Sequence, residues 1–390
     1  MIMQKRTDRV VSIDIIRGFA LLGIFFVNVP TMQSVVSFGA GSGFEAGIRL
    51  FYDIFIQTNF YVIFSLLFGV SAYYFMRSQE KKGLAPRKLF WKRTAWLFVF
   101  GAVHYIFIWF GDILHSYALI GLLLPLFYKI PPKKIMLSAA VIFIISFSIT
   151  QLPNLMPTNM DPSLEAMEDI ESTQVMEDSD EYKEMQESIE QWEEEQANRT
   201  YLSKVKQSMQ QLVFSLPYSM INNLEILALA LFGLGLAKAN FFEEFTRHKK
   251  SVKRIAIVAF LLSLPIIALM VKDFMSGVLM ANYFYVWMSG KLLATVYVAL
   301  FLFACESVRI RQKLAPLGAY GKMAFTNYLS QSIITVFIVV PLIKDFTLPI
   351  QFIYCIVFLI IQVYLSTIIM KKYNYGPFEF VWRKLVFLRK

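Results

Sequence analysis

The sequence predicts an all-α fold: a polytopic membrane helix bundle of about ten transmembrane helices, with both termini cytoplasmic. Three observations carry that prediction. Apolar residues fill 57% of the 390 positions and charged residues 17%, where soluble domains run at ~45–50% and ~25%. The apolar residues gather in runs close to the ~20 needed to cross a hydrocarbon core. Between the runs stand short basic blocks, as expected when cytoplasmic connections carry the Lys and Arg.

The first run, 11–33, is too long for the apolar part of a signal peptide and lacks a small-residue cleavage site, so it stays as a span. A segment at 45–56 reads as an interfacial or entry helix leading into the second span, 56–76. Further spans follow near 94–110, 113–128, 134–151, 219–240, 254–272, 284–305, 321–343 and 349–370. None is clearly broken by Gly or Pro at its middle. Lys5, Arg6 and Arg9 precede the first span, and Arg77–Arg93 holds seven bases. Lys129, Lys133 and Lys134 come next, then five bases in Arg247–Arg254, three in Arg309–Lys313 and six in Lys371–Lys390. Alternation from a cytoplasmic N-terminus puts every one of these blocks inside.

The net charge of +10 is unevenly spread. Asp161–Glu195 holds 15 of the 28 acidic residues and one base, Lys183, leaving 13 acids against 37 bases elsewhere. Because the bases lie between apolar runs and not on one soluble face, nucleic-acid binding is excluded. The acidic stretch defines one extracytoplasmic loop, 153–206, inserted between the fifth and sixth spans of a single membrane domain, 1–390. Two cysteines, Cys305 and Cys355, lie in apolar runs and read as small core hydrophobes. They supply neither a disulfide framework nor a Cys-based zinc site, and no metal is expected.

Ionisable groups inside a span are costly and face the bundle interior, so they are the candidates for function. Asp14 and Arg17 share a helix face and can pair. Arg17 is also suited to a phosphorylated ligand entering from the cytoplasm, because guanidinium binds phosphate bidentately. Asn28 lies on the same face, three turns or roughly 16 Å further out. His104, Asp112 and His115 form a His–carboxylate group of the kind that fixes an imidazole tautomer for general-base work. Glu225, with Asn222 and Asn223, makes a second polar patch, and Asn327 and Gln331 a third. Each has an ordinary alternative as a helix–helix hydrogen bond.

Several motifs resemble those of the YeiB-like bacterial membrane proteins. They are Ser12-Ile-Asp-Ile-Ile-Arg-Gly-Phe-Ala-Leu-Leu-Gly-Ile-Phe-Phe-Val-Asn28, Phe64-Ser-Leu-Leu-Phe-Gly69, and His104 followed by Trp109-Phe-Gly-Asp-Ile-Leu114 and Tyr117-Ala118. Gly321-Lys-Met-Ala-Phe-Thr-Asn-Tyr-Leu-Ser-Gln331 and Gly376-Pro-Phe-Glu-Phe-Val-Trp-Arg383 complete the set, in the family's order. That family is similar to a wider transmembrane acyltransferase superfamily. The resemblance implies a ten- or eleven-helix bundle that takes acyl groups from cytoplasmic acyl-CoA and passes them to an extracytoplasmic acceptor. It implies Arg17 as a donor-binding residue and Asn28 beside the reacting acyl group. One departure stands out: those acyltransferases carry a catalytic His at or shortly after the Asn28 position, whereas 29–58 contains none here.

The expectation is therefore an acyltransferase in a bacterial plasma membrane, with acyl-CoA as donor and a small molecule or glycan as acceptor. Its expected catalytic residues are His104, Asp112 and Asn28, with Arg17 on the donor and His115, Glu225, Asn327 and Gln331 around the substrate. The lipid bilayer is the expected partner, with a homodimer compatible. The alternative is a transporter or permease that uses the same polar residues as a path.

Overall fold

The computed structural model describes residues 10–33, 43–151, 200–276 and 282–388. Among them every regular element is helical. In chain order these are α1 (Val11–Met32), α2 (Phe44–Phe51), α3 (Asn59–Glu80), α4 (Pro86–Phe107), α5 (Leu114–Gly121), α6 (Leu124–Phe127) and α7 (Pro132–Thr150). After the undescribed segment come α8 (Tyr201–Asn222), α9 (Leu224–Lys238), α10 (Phe245–Met275), α11 (Tyr283–Ala304) and α12 (Val308–Lys313). The chain closes with α13 (Ala315–Lys322), α14 (Ala324–Ile334), α15 (Leu348–Lys372) and α16 (Pro377–Phe387).

A multi-pass membrane protein is what these helices make. Seven are long and apolar enough to cross a bilayer, or eight if α8 and α9, bent by 55°, count as one span. The expected ten spans therefore resolve into seven or eight by length and composition among the described residues. The third and fourth expected spans are the ones that fall short. The N-terminal half of α4 carries Arg87, Lys88, Lys92 and Arg93, and α5 with α6 forms only a short apolar pair. The acidic loop lies almost wholly outside the described residues; near its expected end, α8 begins at Tyr201. Its Thr200 side chain accepts the Ser203 N–H, a Thr N-cap at that point.

The outer helices expose their apolar side chains: Leu261 on α10, Ile144 on α7 and Ile360 on α15 all face outward. Surfaces of that kind belong in lipid, where only intrahelical pairing satisfies the backbone. At the centre stands α1, whose Ile15, Ile16, Ala20, Leu21, Phe25 and Val29 are fully buried. Two glycines set its closest neighbour. A Cβ at Gly18 would come within 2.2 Å of the Leu317 carbonyl oxygen, and one at Gly321 within 2.1 Å of that of Asp14. Only glycine at both positions lets α1 and α13 cross backbone to backbone, as small residues do in membrane bundles. Arg17 and Lys322, the residues next to those glycines, are thereby brought to one place.

The second span is broken although it contains no proline. A π-helical turn at Tyr52–Ile56 follows α2, and Thr58 then takes φ 57° before α3 begins. That is an uncommon conformation for a β-branched residue. Cross-links hold it: Thr58 Oγ1 donates to the Val286 carbonyl at 2.8 Å, and Asn59 Nδ2 to that of Ile54 at 3.2 Å.

Orientation has a direct test. With Cys305 and Cys355, both buried, replaced, Ser251→Cys is expected to react with a membrane-impermeant maleimide only after the membrane is opened from the cytoplasmic side. Ser172→Cys is expected to react in intact cells. Labelling of position 251 in intact cells would invert the bundle.

Candidate functional site

The outer part of the bundle gathers the His–carboxylate group. Helix α4 ends just past His104, whose carbonyl accepts from both the Ile108 and Trp109 N–H groups. The chain turns through Gly111 and Asp112 and runs back along α4 as α5. Asp112 caps that helix, its Oδ2 accepting the His115 N–H at 3.0 Å. The turn fits because residue 101 is glycine: a Cβ there would stand 2.5 Å from the His115 backbone nitrogen.

Asp112 is completely enclosed. His104 Nδ1 lies 3.0 Å from its Oδ1 and His115 Nδ1 3.2 Å from its Oδ2. The Tyr328 hydroxyl on α14 donates to Oδ1 at 3.2 Å and accepts the Ile113 N–H at 3.3 Å. The His104 ring is not aligned for a straight hydrogen bond, so its contact with the carboxylate is a close electrostatic one. A carboxylate at Nδ1 favours the tautomer protonated there, which leaves Nε2 as the basic nitrogen. In His104, which is 1% exposed, Nε2 has no hydrogen-bond partner among the described residues. His115 differs: its Nε2 is 3.4 Å from Ser116 Oγ, which accepts from Asn223 Nδ2 at 3.3 Å. Both Nδ1 atoms face the carboxylate rather than a common point, and among the described residues no His, Cys, Asp or Glu set converges as metal ligands would.

At the opposite, basic end lies a cavity of about 210 Å³. Its mouth carries Arg17, Arg93 and Lys322, and its deep end reaches Ile113, Tyr117 and Tyr328. Arg17 donates to Asp14 at 3.0 Å and to Ser71 Oγ at 2.7 Å. Arg93 stacks on Trp382, 3.9 Å from the ring centre, and over Phe75 at 5.0 Å. The one acid on the wall, Glu379, is committed elsewhere: it accepts from the Phe325 and Thr326 N–H groups and from the Thr326 hydroxyl at the start of α14. Burial raises its carboxyl above the usual range while those donors pull it back down. Three cations, of which Arg17 is paired with Asp14, against one occupied carboxylate on the wall leave the mouth positive and suited to an anion. Tyr328 is the link between the two regions, lining the cavity on one side and touching Asp112 on the other.

The remaining expected residues stand apart. Glu225 accepts from Tyr61 at 2.7 Å, Trp287 Nε1 at 2.8 Å and Lys291 at 2.9 Å, an enclosed ion pair joining α3, α9 and α11. Asn327 bonds the Tyr320 carbonyl and Ser366, while Gln331 bonds Tyr320 and Gln362, all between α13, α14 and α15. None of Glu225, Asn327 or Gln331 lines the cavity. Asn28 is buried one turn before Thr31, whose carbonyl accepts from Trp109 Nε1 at 3.0 Å. Its amide has no hydrogen bond to His104, Asp112 or His115. Sequence reasoning missed Arg93 and Trp382 as a pair; the signal was a base and an aromatic within motif-bearing segments that only folding brings together.

Residues 236–389 match a family described as "Protein of unknown function (DUF418)". The E. coli (strain K12) protein named "Uncharacterized protein YeiB" is 24% identical, across 97% of this chain and 96% of its own. The resemblance to the YeiB-like proteins is borne out. It extends to the Bacillus subtilis (strain 168) "Uncharacterized protein YxaH", 27% identical over 98% of this chain and 95% of that one. A Bacillus acidopullulyticus "Uncharacterized 39.9 kDa protein in amylase 3'region" is 26% identical over the same shares. The N-terminal part, residues 9–172, matches the model described as "Heparan-alpha-glucosaminide N-acetyltransferase, catalytic". That acetyltransferase-like match takes in Arg17, Asn28, His104, Asp112 and His115, while Lys322, Tyr328, Glu379 and Trp382 fall within residues 236–389.

Proposed function

We propose that the protein transfers an acyl group across a bacterial plasma membrane, from cytoplasmic acyl-CoA to a hydroxyl or amine of an outer small-molecule or glycan acceptor. The observation that carries this reading is the cavity whose mouth is cationic and whose deep end stops at Tyr328, against the Asp112–His104 group. The donor's phosphates bind Arg17, Arg93 and Lys322. Its thioester reaches past Tyr328 when that ring turns aside. His104 Nε2 takes the acceptor proton, and Asp112 stabilises the imidazolium that results. The acceptor oxygen or nitrogen forms its bond to the acyl carbon, the carbon–sulfur bond breaks, and the His104 imidazolium returns its proton to the departing sulfur, so that CoA leaves as the thiol. Asn28 donates to the oxyanion of the intermediate.

The test uses everted membrane vesicles from producing cells, supplied with radiolabelled acetyl-CoA on their outer, formerly cytoplasmic, face. Protein-dependent label fixed inside the vesicles is expected, and Arg17→Ala is expected to raise the acetyl-CoA concentration needed by about tenfold or more, the weight of one charge-assisted contact. Folded Arg17→Ala protein with unchanged donor dependence would remove Arg17 from the donor site. The transporter reading draws on the break at Thr58, since broken helices mark transporter sites. That break is closed, however, by the Thr58–Val286 bond and by the close fit of Thr58 on Gly290.

A further inference from the structure

Helix α16 has two working sides. Glu379 and Trp382 face the cavity and Trp382 Nε1 donates to the Arg93 carbonyl at 3.0 Å, while Arg383 and Lys384 face away. On that far side, between the end of α15 and α16, is a cleft of about 960 Å³. Its walls are Ile369, Tyr373, Tyr375, Phe380 and Phe387, with Arg383 and Lys384 at its rim. The Arg383 guanidinium lies between two aromatic rings, 5.0 Å from the centre of Tyr375 and 5.1 Å from that of Phe387. Lys384 is 5.0 Å from the Phe380 ring. Neither cation has a carboxylate partner among the described residues. The only acid of the segment, Glu379, is turned inward onto α14.

We infer that this cleft is a site for the headgroup of an anionic phospholipid. Its position, its floor and its rim specify that occupant. The cleft opens where the apolar α15 ends in Lys371 and Lys372, at the basic face of the bundle. Its floor is aromatic and aliphatic, and Phe380, Val381 and Leu388 are exposed beside it, as on a helix lying in the membrane interface. Its rim holds two uncompensated cations, one of them the planar guanidinium that pairs two-fold with phosphate. Basic pockets at helix ends of this kind recognise acidic headgroups. The lipid phosphate sits on Arg383 and Lys384, its glycerol and upper acyl chains on Phe380 and Tyr373. Occupancy also steadies the helix that supplies Trp382 to the cavity wall.

The inference stands independently of the acyl-transfer reading, because its readout is lipid retention. Purified protein is stripped of lipid, exposed to phosphatidylglycerol or phosphatidylcholine in detergent, and weighed by native mass spectrometry. Wild type is expected to retain phosphatidylglycerol in preference to phosphatidylcholine. The Arg383→Gln, Lys384→Gln pair is expected to weaken phosphatidylglycerol retention about twenty-five-fold, roughly fivefold for each charge lost near an acidic surface. Arg309→Gln with Arg311→Gln on α12, an equal loss of charge from another exposed basic segment, is expected to leave it unchanged. Should the first pair not fold, Arg383→Gln alone is expected to give the fivefold loss. Equal retention of the two lipids, equal weakening by both pairs, or displacement of the lipid by millimolar inorganic phosphate would overturn the assignment; the last would mean a free-anion site.

Discussion

His104→Ala is expected to abolish acyl transfer while leaving donor binding nearly unchanged. The imidazole is buried against Tyr328 and its Nε2 has no hydrogen-bond partner among the described residues, so it is free to take the acceptor proton, and it does not line the cavity that carries the cationic mouth. Removing a general base typically costs roughly 10²–10⁴ in rate. Turnover of labelled acetyl-CoA by the purified variant, set against its affinity for CoA, separates the two effects. His104→Gln retains the volume and a polar tip, and is expected to be as inactive as the alanine form. A fully active His104→Ala protein would transfer the base to another residue, with His115 next in position because it shares Asp112.

Lys291→Met is expected to destabilise the bundle by about 3–5 kcal/mol, the usual consequence of removing one partner of a buried ion pair. Glu225 would keep the Tyr61 and Trp287 donors but lose its counter-charge in a site where the two side chains are only 13% and 12% exposed. Lys291 also donates to the Tyr61 hydroxyl on α3 at 2.6 Å, so its loss loosens α9, α3 and α11 together. The double change Glu225→Gln, Lys291→Met is expected to recover most of the loss, because a neutral amide can still accept from Tyr61. Thermal unfolding in detergent measures both. A Lys291→Met protein as stable as wild type would show that the pair contributes nothing to holding these helices.

Much of the architecture was legible because membrane spans advertise themselves by composition. Apolar runs and basic blocks located most of the membrane helices, though α4, α8 and α10 begin eight to eighteen residues earlier than their apolar runs, and the reading already put Asp112 and His115 where α4 turns into α5. What escaped the reading were events that depend on partners distant in the chain. Glu225 reads as a companion of Asn222 and Asn223 until Lys291, on another helix, neutralises it. Asn327 and Gln331 read as pocket residues until Tyr320, Gln362 and Ser366 occupy their amides. The break at Thr58 has no Gly or Pro to announce it; tertiary hydrogen bonds hold a conformation that local preference opposes. The cavity itself is legible only in part. Gly18 and Gly321 were visible as motif residues, but their reason, the close crossing that joins Arg17 to Lys322, is a property of the packed helices.

The central claim is that the cationic mouth receives a CoA-bearing donor. Calorimetric titration of CoA into the purified, intact protein tests it most directly. Saturable binding at one site per chain is expected, weakened by Arg17→Ala and by Arg93→Gln and unaffected by His104→Ala. Absence of CoA binding to folded wild-type protein, or binding that neither cation influences, would contradict it.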